Sequence, residues 1–538
     1  LSDTKTNIIH VNKFLHDFDN REPKSREYTR NTTNAYGGNL DDMLSGACSG
    51  CLKKCNRDFT QAIYCQNTVS TLLSMSIKGS VIIMHGPIGC GSQNHSQESK
   101  LKLALKQRGL DPEEAIWLSS NMSEDDVVLG GEKPLKAAIK KADTLYNPTC
   151  IFILNSCAPG VIGDDIEGII DSVRDETKAI LVPLHCPGFM AKVFTSAYDV
   201  VYHGVLRNFK FTHDDGEFGL DHNSPDYLAQ KKELEERKKK TVNIYVASSI
   251  SAFDEKEMIR LLNKLGLYVR TVIEYNSPEE LKDITNAALN VCLCHVHDIY
   301  FVEFLKEKYG MPYVTPSIPI GISSTNSFIR DIAAFFGLEK EAEELIEEES
   351  RKVLKAVEPI KNRLQGKTAV VSGGYLRIGS TALLLNDIGI QVLGFRHFNY
   401  DEFGNELFKE VRERIGNVTN SVSTQASELV NLLKRLKPDL CITHTGAGVW
   451  VEKSGIPTLT LFSENFSYFG YNGVFEVARR VERTLANGKF SRNLKDNVEL
   501  PFRKEWYLKD PYHYITDFKQ NNTGKSYSEV YAKEENPA

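Results

Sequence analysis

Short apolar runs alternate with amphipathic stretches along most of this chain. Residues 81–84 form an apolar run that leads into a glycine-rich turn, and 115–119, 150–154 and 179–184 repeat the pattern. Between them, residues 133–146 carry Leu135, Ala138, Ile139 and Ala142 at helical spacing. A helix is expected over 164–174, with acidic residues at its start, where the helix dipole favours them. The charged run 230–240 reads as a solvated helix and linker. The alternation then resumes with strands at 242–247, 267–273 and 289–294 and helices at 255–265 and 299–309. A long charged helix over 340–363 leads to a third unit, with strands at 368–372, 391–395, 439–444 and 458–462 and helices at 381–388 and 429–436. Three runs of strand–helix alternation predict an α/β protein with three Rossmann-like, doubly wound parallel-sheet domains and function at the carboxyl ends of the strands. The expected divisions are an N-terminal arm (1–47), three domains (48–240, 241–365 and 366–490) and a C-terminal tail (491–538) that wraps a partner subunit or is loosely ordered.

Composition narrows the class. At 538 residues the chain exceeds the size of a single core. A formal net charge of −6 gives no reason to expect nucleic acid or an anionic membrane surface. No apolar run approaches the roughly 20 residues of a membrane span, and residues 1–20 do not read as a signal peptide. Eleven cysteines in such a chain point to reduced thiols or metal ligands rather than a disulfide scaffold. A cytoplasmic location is expected.

Three cysteines sit in separate short motifs: Tyr64-Cys65-Gln66, His85-Gly86-Pro87-Ile88-Gly89-Cys90-Gly91, and Cys157-Ala158-Pro159-Gly160-Val161-Ile162-Gly163-Asp164-Asp165. Each falls where a strand or turn gives way to a helix. Glycines there let the backbone approach closely, helix-start N–H groups favour an anionic sulfide cluster, and soft thiolates match iron. From spacing alone, ordinary buried cysteines explain the pattern equally well. Asp164 and Asp165 read as caps that brace the turn beside Cys157. Upstream, Cys48, Cys51 and Cys55 form Cys-x2-Cys-x3-Cys, either a second metal site or incidental thiols. Neither 86–91 nor Gly373-Gly374 has P-loop spacing, and no G-x-G-x-x-G follows a first strand, so nucleotide motifs are missing.

These motifs, with Ser123-Glu-Asp-Asp-Val-Val-Leu-Gly-Gly131 between them, resemble in order the α-type subunits of the nitrogenase component 1 superfamily, over roughly residues 65–487. The resemblance implies that Cys65, Cys90 and Cys157 hold an interface iron–sulfur cluster, P-cluster-like or [4Fe-4S], completed by a β-type subunit in an α2β2 heterotetramer. It also implies that Cys294, in Leu289-Asn290-Val291-Cys292-Leu293-Cys294, anchors a larger iron–sulfur cofactor, with its heterometal content open. Cys292, of opposite strand parity, reads as core. Pro319-Ile-Gly-Ile-Ser-Ser-Thr325 and Gly373-Gly374-Tyr375-Leu376-Arg377 resemble cofactor-facing loops. Phe194, Tyr198, Arg377 and Phe462 are the pocket candidates. Beside Cys294, His295 and His297 read as outer-sphere or solvent-facing groups. Cys186 reads as packed.

The departures from the family pattern carry information too. Leu461-Phe462-Ser463-Glu464-Asn465-Phe466 has no histidine where dinitrogen-reducing members ligate the heterometal. Phe194 and Tyr198 stand where those members have glutamine and histidine, and Glu98 lies near a missing arginine. The resemblance therefore implies a reductase of a small molecule other than dinitrogen, as in methylthio-alkane reductases, fed by a transient ATP-dependent iron protein. The alternative is a non-catalytic scaffold for cofactor assembly, to which 321–326 and 466–473 are closer. A metal-free structural α/β protein is the third reading.

Overall fold

The computed structural model describes residues 18–515, apart from positions 31, 34, 93 and 424 and the stretches 49–63, 113–114, 213–224, 247–250, 445–446 and 462–465. Its strands, in chain order, are β1 (Tyr36–Asn39), β2 (Ser80–His85), β3 (Ile116–Ser119), β4 (Cys150–Asn155), β5 (Ile180–His185), β6 (Thr241–Val246), β7 (Tyr268–Ile273), β8 (Leu289–Val291), β9 (Tyr313–Val314), β10 (Thr368–Gly373), β11 (Gln391–His397), β12 (Thr419–Val422), β13 (Leu440–Thr443) and β14 (Thr458–Thr460). They form three sheets, ordered β3-β2-β4-β5, β7-β6-β8-β9 and β1-β12-β11-β10-β13-β14. Every pairing is parallel except that of β1 with β12. All six residues of β2 and of β4 are buried. Helices cover both faces of such a sheet, so its strands read as continuous apolar runs instead of alternating.

In each sheet the chain reverses its direction of winding beside an inner strand: β2, β6 and β10. The resulting crevices lie between the carboxyl ends of β2 and β4, of β6 and β8, and of β10 and β13. Ligands bind at such switch points in open parallel sheets. The three crevices receive, respectively, the Cys90 and Cys157 segments, the Cys294 segment, and the loop that leads to Arg377.

The three units are joined closely. One apolar core runs between the second and third sheets and includes Val353, Val357 and Ile360 of the long helix Glu339–Leu364; another links the first sheet to the second. Arg108 bonds Glu255 at 3.0 Å across the first joint and lies over the ring of Tyr275. Across the second joint, the buried Asp254 carboxylate accepts the backbone N–H groups of Tyr468 (2.8 Å) and Phe469 (2.9 Å).

Several elements differ from expectation for identifiable reasons. The strand expected over 289–294 stops at Val291. Beyond it the Cys294 N–H turns to the Asp298 carboxylate, and the Cys294 carbonyl accepts from His297 and Asp298, which bends the backbone away from the sheet. The helix expected over 164–174 is Ile166–Asp171 followed by a 3-10 turn, Arg174–Glu176. Part of the expected arm is β1, an antiparallel edge strand of the third sheet. The described part of the expected tail packs on helix Ala426–Leu436, where Asn431 donates to the Trp506 carbonyl at 2.8 Å. No helix among the described residues is long and apolar enough to cross a membrane.

Candidate functional site

The first crevice gathers cysteines at helix starts. Cys65 is the N-cap of helix Gln66–Met75, Cys90 lies in the short helix Ile88–Gly91, and Cys157 opens helix Cys157–Ile162. Cys90 and Cys157 are exposed and Cys65 is half-buried. Gly188, in the Pro187-Gly188-Phe189 turn, brings two of them together. Its N–H donates to the Cys157 sulfur at 3.2 Å, and a Cβ built on it would lie 3.3 Å from the Cβ of Cys65 and 3.4 Å from the sulfur of Cys157. Cys90 follows the neighbouring strand, whose His85 pairs with Asn155 just before the Cys157 helix.

A buried polar brace holds this edge. His85 meets Ser120 at 2.9 Å and Asp164 at 3.0 Å, and Asp164 also accepts the Gly131 N–H at 3.1 Å. Burial lowers the His85 pKa despite the Asp164 carboxylate. Asp165 caps the next helix by accepting from Gly168. The capping and bracing expected of this aspartate pair is what the structure has. Cys186 is fully buried beneath the edge, hydrogen-bonded by Asn67 at 3.4 Å, and burial pushes its thiol up to about 12.

The second constellation is deep. Cys294 is 5% exposed. Burial, with Asp298 beside it, pushes its thiol up to about 12, against Arg377 and the N–H groups of Val296 and His297, which favour the thiolate. Asp298 is itself raised by burial to about 8. Arg377, in the first turn of helix Tyr375–Asp387, is buried and donates to the Tyr468 hydroxyl at 2.8 Å. Its charge is felt at Cys294, His297, Asp298 and Tyr198 alike. The turn that carries Cys294 thus meets Tyr198 of the first unit through the stacked His297 ring and shares one core with Tyr375, Leu376 and Tyr468 of the third unit. Phe194 lies edge-on to Phe398 at 6.1 Å, and Phe398 in turn meets His444. Glu98 is engaged by Lys102 and Trp117. Cys292 faces the core on the opposite side from Cys294. Phe462, Cys51, Cys55 and the side chain of Cys48 lie outside the described residues.

His295 and His297 are buried, so a solvent-facing role for either is corrected. Their rings stack on Phe403 (4.6 Å) and Tyr198 (4.2 Å), because the turn after β8 is covered by the first and third units. Two arginines of the N-terminal segment, missed in the sequence, close the site from a third side. Arg26 pairs with Asp199 at 2.6 Å, both fully buried, and Arg30 donates to the His295 carbonyl at 3.3 Å. No local pattern marks them, since their partners lie more than 150 residues away.

Both constellations fit anionic iron–sulfur groups. The half-buried Cys65 and the exposed Cys157 flank Gly188, whose missing side chain leaves room beside both. At the deep site a Cβ on Gly374 would meet open space, and the buried Asp298 Oδ1, His297 Nδ1 and Arg26 Nη1 have no hydrogen-bond partner among the described residues. Among these residues no three His, Cys, Asp or Glu side chains surround a single-ion position.

The family model for the nitrogenase component 1 type oxidoreductases matches residues 65–486. This chain belongs to that family, on its α-type side. It is 26% identical over 441 residues to the nitrogenase iron-molybdenum cofactor biosynthesis protein NifE of Methanococcus maripaludis, covering 80% of this chain and 86% of the relative. It is 24% identical over 463 residues to the nitrogenase molybdenum-iron protein alpha chain of Methanosarcina barkeri, covering 76% and 83%. The solved structure of nitrogenase Cp1 at pH 5 superposes with a TM-score of 0.64 at 20% identity, over 86% of this chain and all of that one. The nitrogenase component 1 fold thus accounts for the three mainly parallel sheets.

Proposed function

We propose that this chain is the α-type subunit of a two-component, nitrogenase-like iron–sulfur reductase whose substrate is a small molecule other than dinitrogen. Cys65, Cys90 and Cys157 hold an interface cluster that a β-type subunit completes, and Cys294 anchors a larger iron–sulfur cofactor. The observation that carries this reading is the buried turn of Cys294, closed by the His297 ring stacked on Tyr198 of the first unit and packed in one core with Tyr375, Leu376 and Tyr468 of the third. When bound, the two groups supply electron transfer and a reducing centre. The chain's own residues supply the rest. Arg377 and the N–H groups of Val296 and His297 favour the Cys294 thiolate, and burial keeps the Tyr198 hydroxyl protonated. Arg26 and Arg30 help to shut out water. Electrons arrive from an ATP-dependent iron protein. The apolar surface beside Cys157 suits such docking, with Val161 73% and Leu129 85% exposed on helices that pack together.

A scaffold for cofactor assembly is the second reading, favoured by the similarity to NifE and by the absence of histidine from 461–466. The test is iron and acid-labile sulfide content with EPR on the anaerobically purified complex, wild type against Cys294→Ala. The reading requires that the variant lose one cluster set and keep the other. Iron that is absent, or unchanged by the substitution, overturns the deep site. Retention of the Cys294-dependent cluster through many turnovers separates reductase from scaffold, which hands its cluster on.

A further inference from the structure

We infer that His297 is a second protein ligand, beside Cys294, of the iron–sulfur group in the deep site; this rests on the deep-site reading above. The two residues form a Cys-x-x-His pair on the tight turn between β8 and helix Ile299–Tyr309. The turn is closed by the His297 N–H, which bonds the Cys294 carbonyl at 2.9 Å, so the two side chains leave the backbone one turn apart. The His297 ring is fixed. It is 9% exposed and stacks on Tyr198, with centroids 4.2 Å apart and planes 21° from parallel.

A fixed, buried imidazole normally has both nitrogens engaged, because an unmet polar atom inside a protein costs about 1–3 kcal/mol. Here Nδ1 is buried with no hydrogen-bond partner among the described residues. His295, two residues earlier, does not share this position: its ring stacks on Phe403, toward the third sheet. Of the two histidines, only His297 combines a ring held against the Tyr198 wall of the site with an unmet buried nitrogen. Imidazole nitrogen and thiolate sulfur are both good iron ligands. A second ligand from the same turn would hold the group in one orientation, which a single thiolate cannot do.

The experiment is pulsed EPR of the Cys294-dependent signal in the intact complex, prepared with natural-abundance histidine and with 15N-histidine. A ligating imidazole gives a nitrogen coupling several-fold larger than that of peptide nitrogens bonded to sulfur. It should change isotope signature on labelling, disappear in His297→Gln and persist in His295→Gln. A Cys294-dependent signal without histidine-nitrogen coupling, or a coupling that survives His297→Gln, overturns the inference and leaves the deep site standing. A wild-type complex with no Cys294-dependent signal overturns both. The labelling arm needs only the wild-type protein, so it decides the matter even if His297→Gln does not fold.

Discussion

A methyl group on Gly188 would sit 3.4 Å from the Cys157 sulfur and 3.3 Å from the Cβ of Cys65. Two motifs more than ninety positions apart in the chain thus meet at one residue with no side chain. If Cys65 and Cys157 share the proposed cluster, Gly188→Val should crowd it, since its side chain would press on both residues. The expected outcome is loss of the interface iron–sulfide set with the Cys294-dependent set retained, at a folding cost of about 1–3 kcal/mol for overpacking. Iron analysis and thermal unfolding check this; a full interface set in the variant would refute the role given to Gly188. The brace behind it predicts a related result. Asp164→Asn keeps the shape but weakens the contact to His85, so the Cys157 edge should loosen, read as faster hydrogen exchange at Gly131, whose N–H that carboxylate accepts.

At the scale of elements, the N-terminal segment acts as a strap. Arg26 and Asp199 are an ion pair with both partners buried, and Arg30 lies between Asp199 (3.9 Å) and Asp401 (3.7 Å). Removing one member of a buried pair leaves the other charge in low dielectric, at a cost of about 3–5 kcal/mol. Arg26→Ala should therefore cost that much in urea unfolding, and Arg26→Met with Asp199→Leu should recover a large part of it. A cost under about 1 kcal/mol for the single variant would contradict the strap. The elements that the sequence made legible are those whose signal is local. β4 is a continuous apolar run, helix Glu132–Tyr146 shows the 3.6-residue period at Leu135, Ala138, Ile139 and Ala142, and Cys90 and Cys157 sit in glycine-marked turns. β1 and β12 were not legible. Their Tyr-Gly-Gly-Asn and Thr-Asn-Ser-Val sequences carry little apolar character; β12 is a strand because β11 and β1 flank it, and β1 because it pairs with β12. The strap was hidden for the same reason: Arg26 looks like any surface arginine until Asp199 is beside it.

For the whole molecule, buried neutral histidines set the response to acid. Burial lowers His203 to about 4, although it bonds Tyr300 and the Asn20 carbonyl, and lowers His397 to about 3, although it bonds Asn420. An unfolded histidine titrates near ~6.5. Below that pH the unfolded chain binds protons that the folded chain refuses, so stability is full above about pH 6.5 and falls as the pH drops toward 4, by about 1.4 kcal/mol per unit for each group. Glu167 adds a later loss. Half-buried, it is held to about 2 by His185 and Arg21, so its contribution is present above about pH 4.3 and disappears below that. Asp298, raised to about 8, works against the histidines' loss, because its folded carboxyl holds a proton that an unfolded aspartate takes up only near ~3.9. The urea midpoint should therefore fall below pH 6.5 more steeply in wild type than in His203→Gln, and equal slopes would count against the histidine. The antiparallel edge of the third sheet has a temporal consequence as well. Asp41 and Asn417, bonded across that edge, are 376 residues apart. On a ribosome the earlier segment emerges long before its partner exists, and such long-range pairing is slow to form. The first part of this edge to be made is among the last to find its place. Until it does, the growing chain exposes both an unpaired strand edge, open to wrong partners, and the two arginines that will later seal the centre of the molecule.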